Sequence, residues 1–186
     1  MPNLQHLDAA LTAMITGFAG QVALADGAMI GIAQWGVPVM VLAVALQWWS
    51  GADRRGTRHI LIAAGFAFFL GLGLNQILLL MIDRPRPYLA GVTTLLVPPS
   101  ADPSFPSDHA TAVFAIAVSF ALGGLRKRAL WFLAGAALVA LSRVFVGIHY
   151  AGDVLGGALT GAIAAVMVSV AYRRETRLDR FLTGIL

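Results

Sequence analysis

Apolar residues gather in five stretches of this chain, separated by short polar or basic segments. The first covers residues 28–49, with Pro38 inside it and Trp48-Trp49 at its end, where tryptophans suit an interfacial belt. The second covers 59–82, densest at Phe66 to Leu72 and Ile77 to Ile82. It stops at Asp83-Arg84-Pro85-Arg86-Pro87, because closely spaced prolines end a helix. Residues 88–106, with Pro98-Pro99 and Asp102-Pro103, predict a loop. A third run starts at Ser107 and reaches about Leu122, a fourth covers 129–147 and a fifth 152–172. About 20 helical residues cross a hydrocarbon core of ~30 Å, so all five are long enough to span with some tilt, the third being marginal. The pattern predicts an all-α integral membrane bundle, one domain over 1–186.

Residues 1–26 follow a different pattern. Leu4, Leu7, Leu11, Met14, Ile15 and Phe18 recur at helical spacing, while Asp8, Thr12 and Gln21 interrupt them. This predicts an amphipathic helix lying at the interface against the bundle, with a sixth span as the competing reading. The segment lacks the positive start of a cleaved signal.

Composition agrees with the pattern. The chain of 186 residues is 59% hydrophobic and 12% charged, against about 25% charged in soluble domains. The absence of cysteine excludes disulfides and thiolate metal sites. The basic balance, pI about 10.3, does not point to nucleic acid, since the basic residues sit in short clusters between apolar runs. Ten of the thirteen fall at Arg54, Arg55 and Arg58, at Arg126, Lys127 and Arg128, and at Arg173, Arg174, Arg177 and Arg180. With five spans these clusters share one side, which the positive-inside rule makes cytoplasmic, the C-terminus with it. Arg84, Arg86 and Arg143 remain, near the opposite face with the 83–106 loop and the His149 to Asp153 turn.

Chemistry concentrates at that opposite face. Arg86-Pro87, then Pro106-Ser107-Asp108-His109, then Ser142-Arg143 with His149 and Asp153 read as a phosphate-transfer site. Two arginines, a serine at a helix start, two histidines and a carboxylate suffice to hold a phosphoryl group and pass it through a covalent histidine, with neither metal nor other cofactor. Ionisable groups among apolar segments are expensive and mark function.

These motifs resemble those of the type 2 phosphatidic acid phosphatase family, membrane enzymes that dephosphorylate lipid phosphates and diphosphates. That pattern is a Lys six residues before Arg-Pro, then Pro-Ser-Gly-His, then Ser-Arg with five residues to His and three to Asp. The third motif matches in full at Ser142, Arg143, His149 and Asp153; the second matches at Pro106, Ser107 and His109, with Asp108 in place of glycine. In the first, Arg86-Pro87 is present but Leu79 stands where Lys is due, and Arg84 is a candidate replacement. The string from Asp102 through Thr111 is similar to the bacterial branch that hydrolyses undecaprenyl diphosphate. The resemblance implies a multi-pass protein of the bacterial inner membrane, a helical bundle with its site open to the periplasm or exterior. It also implies a polyprenyl or phospholipid phosphate substrate among membrane lipids. Nothing in it assigns an oligomeric state.

The residues fit such chemistry individually. His149 and Asp153 stand four apart and share a face if the fifth span begins near them, so Asp153 is expected to accept one imidazole proton and leave the other nitrogen free to attack phosphorus. His109 is expected to protonate the leaving oxygen and then activate water. Arg86 and Arg143 are expected to hold non-bridging oxygens, while Ser107 caps the third span and receives the anion at a positive helix end. Arg84, Ser142 and Asp108 are counted with them as substrate-binding, with a positional role as the alternative for Ser142, and an ordinary first-turn carboxylate as the alternative for Asp108. His6, His59, Asn75 and Gln76 are expected to be structural hydrogen-bonders, Asp83 to neutralise a neighbouring arginine, and Gly157 with Gly161 to allow close packing inside the bundle. Trp35, Trp131, Tyr88 and Tyr150 are packing or belt residues, the two tyrosines also flanking the motifs.

The expected activity is hydrolysis of undecaprenyl diphosphate to the monophosphate and phosphate. Phosphatidylglycerophosphate or phosphatidate hydrolysis and lipid phosphotransfer are the rivals within the enzyme class. A non-catalytic lipid-phosphate binder is the rival outside it, favoured only by Leu79, since binding needs neither a nucleophile nor its orienting carboxylate.

Overall fold

The computed structural model describes residues 4–185, which are all-helical apart from their connections. The helices are α1 (Leu4–Thr16), α2 (Ala23–Ala45, continued by a 3-10 turn Leu46–Trp49), α3 (Arg54–Met81), α4 (Asp108–Leu122), α5 (Arg126–Phe145), α6 (Ala151–Ala171) and α7 (Arg177–Thr183). Among the described residues four segments are long and apolar enough to cross a membrane: α2 with its 3-10 turn, α3, α5 and α6. Their outward faces carry exposed Trp35, Phe69, Leu80, Trp131, Leu155 and Val170, the reverse of a soluble surface and the expected face toward lipid.

The shorter α4, the marginal span, is the axis of the bundle, packed against α3, α5 and α6. Ala110, Ala112, Val113, Ala115, Ile116, Ala117 and Phe120 are all buried. At ~1.5 Å per residue its 15 residues cover about 22 Å, less than the hydrocarbon core, so a helix wrapped by others starts below their rim. Its close approach to α6 depends on Gly157 and Gly161, where an added Cβ would strike the carbonyl oxygens of Ser107 and Thr111. The small-residue pair thus serves packing within the bundle. Gly161→Leu is expected to cost at least about 2 kcal/mol of stability, because backbone rather than a flexible side chain blocks the space. A thermal unfolding midpoint in detergent equal to the wild type would contradict this.

All three basic clusters lie at one end. Arg58, at the start of α3, donates to Trp48 O (3.2 Å) and Thr183 O (3.0 Å), and Arg128 donates to Gln47 Oε1 (3.0 Å). The unforeseen α7 docks there through Asp179, which accepts from His59 Nδ1 (2.7 Å), Tyr172 OH (2.8 Å) and Glu175 N (2.8 Å). Burial pushes the Asp179 carboxyl up, but these donors outweigh it and hold the group below its usual range. His59 is therefore the structural hydrogen-bonder its position suggested.

At the other end, α1 has 13 residues, about 20 Å, too short for a sixth span. It packs on α5 and α6 with Leu4, Leu7, Leu11 and Met14 outward. Its polar side faces inward, Thr12 donating to Asp8 O within the helix and both side chains reaching α6. Thr12 Oγ1 accepts from Ala151 N (3.0 Å) and Asp8 Oδ1 from Gly152 N (2.7 Å), so one helix caps the start of another.

Candidate active site

The proline-rich segment that ends α3, the start of α4, the end of α5 and the turn before α6 meet at the end opposite the basic clusters. They enclose a cleft of about 550 Å³ lined by Arg86, Asp108, His109, Arg143 and His149, with Gln76, Leu79 and Leu80 along the α3 side. Residues of the three motifs as far apart as Arg86 and His149 thus line one cleft. Leu79, in the lysine's position, presents an apolar surface to the same cleft.

His149 follows α5 in a turn held by its own backbone, Val146 N to Ser142 O (2.9 Å) and His149 N to Arg143 O (3.3 Å). Its Nδ1 lies 2.8 Å from Ser104 O and 3.5 Å from Asp153 Oδ2. Both neighbours are acceptors, so Nδ1 carries the proton and Nε2 keeps the lone pair. The nearer partner is the Ser104 carbonyl and not the carboxylate that spacing alone pointed to. Burial pushes the imidazole below its ordinary range; the Asp153 carboxylate opposes this, and the Arg143 and Arg86 charges add to it. These influences together favour the neutral ring.

Asp153 is fully buried and fully engaged. Oδ1 accepts from Arg84 Nη1 (2.6 Å), and Oδ2 accepts from Tyr150 N (2.8 Å) and from the Ser104 hydroxyl. Ser104 therefore touches both members of the His149–Asp153 pair, through its carbonyl and its hydroxyl. Sequence reading missed it as a site residue. The available signal was its place in the Asp102-Pro103-Ser104 lead-in to the second motif.

The two predicted phosphate-holding arginines differ. Arg86 is buried and donates to Asp102 O (2.9 Å), Ile148 O (3.0 Å), Ser100 Oγ (3.1 Å) and Pro103 O (3.4 Å). Most of its N–H groups are spent clamping the 100–104 loop to the turn that carries His149. Burial also pushes its pKa down. Arg143, in the last turn of α5, donates Nη1 to Ala33 O (3.3 Å) and leaves a buried Nε without a partner.

Ser107 occupies the N-cap position of α4, but its side chain makes no capping bond, and its buried Oγ has no partner either. It stands between Pro106 and Asp108, both lining the cleft. Among the described residues, only Ser107 Oγ, Arg143 Nε and Asn75 Oδ1 are buried side-chain polar atoms left in this way. Unpaired buried polar groups are costly, and two of the three belong to predicted substrate-binding residues, Ser107 at the start of α4 and Arg143 in the last turn of α5. Asn75, in α3, donates to Asp108 Oδ1 (2.8 Å) and Thr111 Oγ1 (2.8 Å), which holds the Asp108 carboxylate against its own wall.

Ser142 and Arg84 are not among the residues lining this cleft. Ser142 is fully buried and donates to Val139 O (2.7 Å), a positional role. Arg84, the candidate replacement for lysine, bonds Asp153 and Asp8, and lies along a separate groove of about 770 Å³ between α1 and α6.

Comparison with known proteins gives the arrangement relatives. Residues 60–177 match the PAP2 superfamily. The undecaprenyl-diphosphatase BcrC of Bacillus subtilis is 33% identical over 167 residues, covering 89% of this chain and 82% of that protein. A putative undecaprenyl-diphosphatase, YbjG of Escherichia coli, is 31% identical over 140 residues, covering 73% and 67%. In fold, the chain resembles the crystal structure of a transmembrane PAP2-type phosphatidylglycerolphosphate phosphatase from Bacillus subtilis. The TM-score is 0.69 at 23% identity, over 94% of this chain and 88% of that one.

Proposed function

The chain belongs to the PAP2 superfamily, and on that footing we propose that it hydrolyses undecaprenyl diphosphate to undecaprenyl phosphate and inorganic phosphate. The observation that carries this reading is the pinned tautomer of His149. The Nδ1 atom is fixed between Ser104 O and Asp153, and His149 lines a cleft together with Arg143, whose buried Nε has no partner in the protein.

In the first step the terminal phosphoryl group enters with its non-bridging oxygens toward Arg143, Ser107 and the α4 amides. Nε2 of His149 attacks phosphorus, an N–P bond forms and the bridging P–O bond breaks. Undecaprenyl phosphate leaves with a proton from His109. In the second step His109 takes a proton from water, whose oxygen attacks the phosphohistidine. The N–P bond breaks, phosphate departs and His149 is regenerated. The apolar Leu79 and Leu80 give the α3 side of the cleft a surface suited to the lipid end of the substrate. By the positive-inside rule the basic end is cytoplasmic, so the site opens to the periplasm or exterior and the product becomes available for another round of carrier use.

The test is phosphate release by purified protein in detergent with chelator present. Undecaprenyl diphosphate is compared with phosphatidylglycerophosphate and phosphatidate, with and without an added lipid acceptor. The expected result is a clear preference for the diphosphate, with free phosphate as product. Preference for a glycerophospholipid, or transfer to the acceptor in place of release, overturns the substrate or the reaction proposed.

A further inference from the structure

The described reaction uses His149, Asp153, His109, Arg143 and Ser107, but Asp153 is itself held by a chain of charges that continues beyond the cleft. Arg84 Nη1 bonds Asp153 Oδ1 at 2.6 Å, and Arg84 Nη2 bonds Asp8 Oδ2 at 2.6 Å. The Tyr150 ring lies 3.9 Å from the guanidinium carbon and holds its plane. We propose that Asp8, on the N-terminal helix, is a positioning residue of the active site that acts through Arg84 on the Asp153–His149 pair. The proposal rests on the reading of His149 as nucleophile.

Arg84 shares one positive charge between two carboxylates. A single guanidinium divided between two carboxylates neutralises neither fully, and the part of Asp153 left over faces His149 Nδ1 at 3.5 Å. If Asp8 lost its charge, Arg84 would bear wholly on Asp153, and less negative potential would reach the imidazole. Capping alone does not account for an ionisable group here. Thr12, one turn along α1, caps Ala151 N with a neutral hydroxyl, and Asp8 needs only Oδ1 to cap Gly152 N. Its second oxygen is spent on Arg84. Burial opposes the charge on Arg84, but the two carboxylates outweigh it and raise its pKa, so the link stays ionised.

Asp8→Asn separates the two roles, since an amide oxygen still caps Gly152 N while the charge is gone. Two readouts are taken beside Asp8→Glu and Thr12→Val: kcat and KM on whichever lipid phosphate the wild type turns over, and the pH dependence of His149 acylation by diethyl pyrocarbonate, followed by mass spectrometry. The other charged or titratable groups facing His149 are Arg143 of α5, Arg86 of the loop and His109 of α4, and none is altered. Asp8→Asn is expected to lower kcat about tenfold at unchanged KM, the lower end of what orienting partners behind histidines contribute at metal sites. The acylation midpoint is expected to move to lower pH, because loss of a negative charge favours the neutral ring. Asp8→Glu should recover part of both, and Thr12→Val should lower thermal stability alone.

The proposal is overturned if Asp8→Asn matches the wild type in both readouts, or if it behaves as Thr12→Val does. A wild type inactive on every lipid phosphate would sink the proposed function. The acylation midpoint would still decide the role of Asp8, a downward shift supporting it and no shift refuting it.

Discussion

Replacing His149 with alanine is expected to abolish phosphate release, by on the order of 10⁴-fold or more, the scale on which catalytic units collapse when their nucleophile is lost. The variant should still insert and fold. The ring's nearest polar contact is the Ser104 carbonyl, at 2.8 Å, and that backbone segment is independently held by Ser104 N to Arg84 O at 2.8 Å and by the Arg86 clamp, while Asp153 keeps its other donors. Brief incubation of the wild type with substrate labelled in its terminal phosphate should leave acid-labile label on His149, and the variant should leave none. Release at an unchanged rate by folded His149→Ala would remove His149 from the mechanism and bring His109 forward as nucleophile.

Asp153→Asn is expected to be nearly as damaging, for a different reason. The geometry can survive, because an amide oxygen still accepts from Tyr150 N or Ser104 Oγ. Arg84 then keeps only Asp8 as a charged partner, and the imidazole loses the one carboxylate beside Nδ1. The amide group is also free to offer an N–H where the ring needs an acceptor. The analogous change behind a serine-protease histidine costs about 10⁴ in kcat. Here the Ser104 carbonyl shares the orienting task, so a loss of about 10³ is expected, seen in kcat with little change in KM. Wild-type kcat in the variant would mean that the carbonyl alone sets the tautomer and that Asp153 is structural.

Much of this was legible in sequence because it is local. The proline-rich segment follows the end of α3, Ser107 marks the start of α4, and the third motif brings His149 to Asp153, although His149 stands in the turn before α6 and not on the helix. What escaped was pairwise and distant. Asp8 and Thr12 read as interruptions in an apolar stripe, since in a membrane protein lipid and core are both apolar and periodicity does not say which face turns inward. Arg84 read as a candidate replacement for the motif lysine because its partners lie 76 and 69 residues away. Arg86 matched a phosphate-binding motif, and nothing in the motif reveals that four neighbouring oxygens already claim its donors. Ser104 acts partly through its carbonyl, an atom every residue has, so residue type carries only half the signal.

The bond between Asp8 and Gly152 spans 144 residues of chain. During synthesis α1 emerges before the helix start it caps, and the intervening spans are made between the two. The surroundings of His149 therefore cannot be complete until α6 has been delivered to the membrane. A ribosome-bound intermediate would hold α1 at the surface with its carboxylate in water, chemically silent, and the enzyme would acquire its activity in one late step of assembly.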